Sequence, residues 1–318
     1  MSYYKPSFVL LLVTFISIQL TFPLCSGAPS SPEEIYWKTK VGDIPMPKPL
    51  KDSLRLGPNE RVVQLNSNYK QDFGTHEALL YVWGGHVAKT QIPQDGRVIY
   101  FKDDILSKVG VKMKLYFKKI NNQAKFLPLH VAKILPTTSN KFQVILNLLF
   151  VNPKSTLAQD IELMMKKCEE KGVKGEIRNC VNSLEDMVDY VTSALNFGKN
   201  KLVVASTKED YGILLEYTIQ KVQLLGSHVV VCHKIRNPFA VFLCHSIQNT
   251  YLYNVSMVRA NGKQTEAFAI CHKDTSFWNP RHYAFEFLNT KPGGKPICHF
   301  VCAEAIVWYR LPKNNGEE

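Results

Sequence analysis

Residues 228–245 read His-Val-Val-Val-Cys-His-Lys-Ile-Arg-Asn-Pro-Phe-Ala-Val-Phe-Leu-Cys-His. The apolar runs 228–232 and 239–243 read as strands. Each run closes on a Cys-His dipeptide, Cys232-His233 and Cys244-His245. Two more follow at Cys271-His272 and Cys298-His299, and the intervening stretches are 234–243, 246–270 and 273–297. With 8 Cys and 9 His in 318 residues, chance supplies fewer than one such dipeptide, so the four mark a site. Successive side chains of a strand point to opposite faces. On strands, the four cysteines and four histidines therefore serve separate tasks. The cysteines make disulfides or pack in the core. The histidines converge on a metal, or are incidental to a disulfide framework.

The chain around this region divides into helices first and strands after. Thr156, three residues before Gln159, fits a capping box, and Leu157, Ile161, Met164, Met165 and Cys168 then form one helical face ending at Gly172. A second helix starts at Ser183, with Met187, Val188, Val191 and Leu195 on its apolar face and Gly198 at its end. Cys168 and Cys180 flank the turn between them, so a disulfide there staples a helix hairpin. Residues 98–101 and 111–117 alternate as strands, and beyond residue 200 the stretches 202–205, 215–225, 251–258, 265–270 and 306–309 do the same. Asn261-Gly262 signals a type I′ hairpin. The fold class is α+β, with a helix hairpin and a mainly antiparallel β portion. His130 reads as a packing histidine.

The N-terminus reads as a secretory signal peptide over 1–27, with Lys5, an apolar stretch over 8–22 and Cys25-Ser26-Gly27 before Ala28. Its removal leaves seven cysteines, an odd number for an oxidising compartment. Residues 28–97 read as an extended, proline-rich pro-region or linker, 98–312 as the domain and 313–318 as a disordered tail. Asn254-Val255-Ser256 is a glycosylation sequon. The net charge of +12 is dispersed, which suits acidic polysaccharide and not nucleic acid. No second span offers itself to a membrane after signal cleavage. No nucleophile elbow, phosphate loop or dinucleotide-binding glycine motif is present. No Cys-x-x-Cys zinc loop occurs either. Imidazole suits copper as well as zinc, and an oxidising compartment favours histidine-led copper ligation over thiolate.

The spacing of the four Cys-His pairs resembles that of the BURP domain of plant proteins. Phe126-Leu127-Pro128, Cys168-Glu169 with Gly175-Glu176 and Cys180, Ser183-Leu184-Glu185, Asp274-Thr275-Ser276 with Trp278, and Val307-Trp308 agree with it. Val301-Cys302 stands where the family pattern reads Leu-Pro, which makes Cys302 the odd thiol. The resemblance implies copper, held by His233, His245, His272 and His299, because some BURP proteins look like copper-dependent peptide cyclases. It also gives a meaning to residues 77–86, an aromatic stretch in a polar tail. Aligned on Trp83, the segment 79–86 resembles a moroidin-type core at Leu80, Val82, Trp83, Gly85 and His86, and departs from it at Leu79, Tyr81 and Gly84. Leu80, Trp83 and His86 are then the crosslink positions, with Tyr81 in reserve, and the chain's own N-terminal segment is the substrate that downstream proteases release. Asp274 and His282 are candidates to support the metal ligands. The alternative is a non-enzymatic apoplastic, cell-wall, seed or stress-associated protein with a structural metal or disulfide site, in the secretory pathway, the extracellular space or the vacuole.

Overall fold

The computed structural model describes residues 30–55, 100–117, 124–135, 137–196, 202–207 and 214–311. The stretch 1–27 expected to be a signal peptide, the segment 79–86 and the tail from 313 lie outside the described residues. Among the described residues no helix is long and apolar enough to cross a membrane.

Two antiparallel sheets carry the domain. The larger holds β1 (Tyr100–Lys102), β2 (Lys112–Tyr116), β5 (Leu214–Gly226), β8 (Thr250–Arg259), β9 (Gln264–His272) and β10 (Ile297–Phe300), in the order β1-β10-β9-β8-β5-β2. The smaller holds β3 (Glu176–Val181), β4 (Leu202–Ala205), β6 (Val229–Ile235), β7 (Val241–Ile247) and β11 (Ile306–Arg310), in the order β3-β7-β6-β11-β4. β6 is buried at every position, as expected of a strand covered on both faces. β8 alternates buried and half-buried residues, as expected of one face turned outward.

Seven helices accompany the sheets among the described residues: α1 (Pro32–Val41), α2 (Lys48–Lys51), α3 (Leu129–Ala132), α4 (Phe142–Leu148), α5 (Thr156–Glu169), α6 (Leu184–Ala194) and α7 (Tyr283–Phe287). α5 is capped one residue earlier than its sequence suggests, because Ser155 Oγ accepts from the Ala158 amide at 3.2 Å. α6 is capped by Ser183, whose Oγ accepts from Asp186 at 3.1 Å. The stretch between these helices forms β3, so the Cys168–Cys180 bridge ties a helix to a strand.

Three further expectations change. The segment expected to run extended after residue 28 forms α1 and α2, and Trp37, Val41, Met46, Leu50 and Leu54 enter the core beside Val188, Phe242 and Trp308. The missed signal is the capping box of Ser31 and Glu34 with Pro32 at the first turn. The β8–β9 turn is not type I′. Gly262 has φ 81°, but Asn261 does not share a positive φ, and Gly262 N–H donates to Arg259 O while Arg259 N–H donates to Lys263 O. That is a three-residue loop with a left-handed glycine closing it. His130 is exposed on α3, not packed.

Candidate functional site

The disulfides set the geometry. Cys232 lies directly opposite Cys244 across β6–β7, and Cys271 directly opposite Cys298 across β9–β10, and both pairs are bonded. In an antiparallel ladder the residue after each cysteine turns to the other face and faces the residue before the partner cysteine. His233 is thus opposite Leu243, and His245 opposite Val231. The two histidines are diagonal neighbours on one face, a separation that aromatic rings bridge. Their ring centroids are 5.4 Å apart. The β9–β10 pair repeats the arrangement: His272 faces Ile297, His299 faces Ile270, and their rings stack at 5.5 Å. One cross-strand disulfide in each sheet therefore presents one imidazole pair per sheet.

The two pairs are close enough to repel when charged. Burial, then the neighbouring His245 and His299, holds His233 well below the ordinary histidine range. Burial, then His299, His245 and His282, does the same to His272. Burial lowers His299 to about 4. These three rings are neutral near pH 7, the state in which an imidazole can ligate a metal.

Each Nδ1 has a neighbour. His245 Nδ1 lies 2.9 Å from Glu176 Oε1 on β3. His299 Nδ1 lies 3.2 Å from the Phe300 carbonyl, His272 Nδ1 3.0 Å from Thr250 Oγ1, and His233 Nδ1 3.8 Å from Cys302 Sγ. A carboxylate and a carbonyl only accept, so His245 and His299 donate from Nδ1, and when neutral their lone pair is on Nε2. A metal-ligating histidine carries the same arrangement, one ring nitrogen on the metal and the other held by an oxygen acceptor. Glu176 is buried. Burial raises its carboxyl, but the hydrogen bond and charge of His245 outweigh that and leave it lowered.

Imidazole is a donor that suits copper, and two of the four Nδ1 atoms, those of His245 and His299, are held by oxygen acceptors. The present side-chain positions are pairs: among the described residues no three His, Cys, Asp or Glu side chains stand grouped to hold an ion.

His282 differs from the four. Its Nδ1 accepts from the Ala284 amide at 3.1 Å and caps α7, so the neutral ring carries its proton on Nε2. That tautomer cannot ligate through Nε2. Its ring sits 4.7 Å from Trp278 and 5.6 Å from Tyr100, and these two in turn touch His272 at 4.9 Å and His299 at 5.6 Å. Trp278 is buried in that aromatic cluster. Asp274 is exposed and accepts from the Ser276 amide and hydroxyl, a turn cap. Cys302 is the free cysteine among the described residues, and burial raises its thiol to about 11. Asn254 lies mid-strand in β8, half-buried, with Oδ1 shielded and unpaired. Sequence reasoning did not assign Glu176 or Thr250 to the site. Thr250 pairs with His272 across β8–β9, and Glu176 lies on the strand beside β7.

The BURP-domain family model matches residues 99–310, which include both disulfide-pinned imidazole pairs. The chain belongs to the BURP-domain family. The chain is 33% identical over 316 residues to BURP domain-containing protein 5 of Oryza sativa subsp. japonica, covering 96% of each chain. It is 34% identical over 236 residues to BURP domain protein RD22 of Arabidopsis thaliana, covering 72% of this chain and 60% of that one. Protein RAFTIN 1B of Triticum aestivum is 31% identical over 221 residues, 68% of this chain and 61% of its own. This is a plant BURP-domain protein.

Proposed function

We propose that this BURP-domain protein is secreted and crosslinks side chains of its own segment 79–86 with copper held by His233, His245, His272 and His299. The observation that carries the reading is the pair of oxygen acceptors on Nδ1 of His245 and His299, the arrangement of a metal-ligating histidine, beside His233 and His272, which burial keeps neutral. Copper, when bound, would supply one-electron oxidation steps, two for each new bond formed with loss of two hydrogens, with dioxygen as final electron and proton acceptor.

The protein's own residues hold and position. Glu176 and Phe300 O fix ring orientation, and Cys232–Cys244 and Cys271–Cys298 fix strand register. Tyr100 follows the 56–99 stretch, and its ring lies 5.6 Å from His299. The fourteen steps from His86 to Tyr100 span at most about 50 Å. The segment is therefore tethered at high effective concentration, and weak binding suffices. Leu80, Trp83 and His86 are the reacting residues, with Tyr81 in reserve. Proteases then release the product. The basic surface suits acidic cell-wall polysaccharide.

A second reading has its own support. No three ligands are grouped among the described residues, and the cysteines close into cross-strand bridges. Both suit a non-enzymatic secreted protein whose Cys-His units are structural. The deciding experiment exposes the purified mature chain to copper in air, digests it and weighs the peptide spanning 77–86. The cyclase reading expects loss of two hydrogens per crosslink, dependent on copper and abolished by His272→Ala. An unmodified peptide from folded, copper-loaded protein leaves the structural reading.

A further inference from the structure

We propose that residues 31–55 form a docked segment that stays bound to the domain as a separate chain once the backbone is cut between residues 56 and 99. The inference goes beyond the proposed chemistry and does not depend on copper.

The segment closes on itself and on the domain. Glu33, near its start, and Arg55, at its end, form an ion pair at 2.8 Å with side chains 4% and 14% exposed. Trp37 packs its ring 5.6 Å from Trp308 of β11 and donates from Nε1 to Ile44 O at 2.8 Å. Tyr36 donates to Asp189 of α6. Leu50 is fully buried, and Val41, Met46 and Leu54 nearly so.

Polar groups complete the grip. Ser53 O accepts from the Phe126 amide at 2.8 Å, and Ser53 Oγ accepts from Lys234 Nζ at 3.1 Å. Asp52 O accepts from Lys125 Nζ at 3.0 Å. None of these contacts uses the backbone from 56 to 99. On the far side, β1 is paired along its length with β10. Both flanks of the stretch are anchored by contacts among the described residues, and a cut between 56 and 99 leaves those contacts in place. The occupied surface is a peptide groove of stated chemistry: apolar, with the Trp308 ring as floor and the buried Lys234 ammonium at one end.

The test uses the full chain with a site-specific protease sequence inserted between residues 56 and 99. After cleavage, native mass spectrometry and size exclusion are expected to find both fragments as a one-to-one complex that survives dilution to nanomolar, while a denaturing gel shows two bands. Separation of the cleaved fragments under native conditions overturns the proposal. Leu50→Ala sharpens it. Uncut, this variant stays folded through the tether's effective concentration. Cut, it is expected to lose the fragment at least tenfold more readily than the parent, and equal retention would overturn the assigned docking. Should the variant fail to fold, the cleaved parent chain decides alone.

Discussion

In the β6–β7 unit, His245 leans on the Glu176 carboxylate and His233 on the Cys302 thiol. In the β9–β10 unit, His272 and His299 meet a hydroxyl and a backbone carbonyl beside Tyr100 and Trp278. The first unit is a hairpin of consecutive strands. The second joins strands across the stretch 273–296, which contains α7. The backbone device is identical in both, a bonded cysteine pair with diagonal histidines. The chemistry around it is not. Cys-His therefore encodes placement, and each imidazole's surroundings come from other strands.

The largest expected effect breaks the device itself. The bridges close sequence separations of 12 and 27 residues. Loop-closure entropy makes the shorter worth about 2.8 kcal/mol and the longer about 3.6 kcal/mol. Paired alanine replacements are expected to lower stability in that order, with Cys271/Cys298 the more damaging, as read from denaturant midpoints. The reverse order would place the first unit at the stability centre.

Next comes the asymmetry of ring support. Glu176→Gln removes a carboxylate from His245, and Thr250→Ala removes a hydroxyl from His272. Copper titration is expected to show about 10- to 100-fold weaker binding for the former, the usual cost of losing such support, and a smaller loss for the latter. Equal losses would mean that copper does not distinguish the two units.

Titration separates the depressed histidines from Glu176. In metal-free protein His299 is depressed to about 4, so below about 6.5 the unfolded chain binds the extra proton. Stability is then full above about 6.5 and falls as pH drops toward 4, by up to about 1.4 kcal/mol per pH unit for each proton. His299→Phe is expected to remove its own share of that loss and leave the shares of His233, His272 and His282. Glu176, depressed from the carboxylate range, contributes stability that is present above about 4.3 and lost below it. Glu176→Gln is expected to change the profile in the lower window. Denaturant midpoints from pH 3.5 to 7.5 read both.

The smallest effects belong to the periphery. Asp274→Asn, at an exposed turn, is expected to shift stability by about 0.5 kcal/mol or less. In the parent, the Cys302 thiol, raised to about 11, should react with a thiol reagent at pH 8 far more slowly than an unfolded control.

Much of this was legible because it is local. Alternation along a strand separates cysteine from histidine, and Ser183 announces α6 through one hydroxyl. The missing parts are contacts across long separations. Glu176 meets His245 from 69 residues away, and Lys234 meets Ser53 from 181. α1 has few apolar side chains, and its weight rests on Trp37 finding Trp308, which no periodicity announces. β10 follows Pro296 and is four residues long, too short for a pattern, yet it carries one half of an imidazole pair.

The order β3-β7-β6-β11-β4 has a bearing on synthesis. β11, residues 306–310, occupies the slot between β6 and β4 and pairs with both. As the chain leaves the ribosome, the β6–β7 hairpin can form and oxidise while that slot is still open. β4 cannot join until residues 306–310 have emerged. A message truncated before residue 306 would yield a product with two bare strand edges, the kind of surface that quality control captures and that pairs between chains.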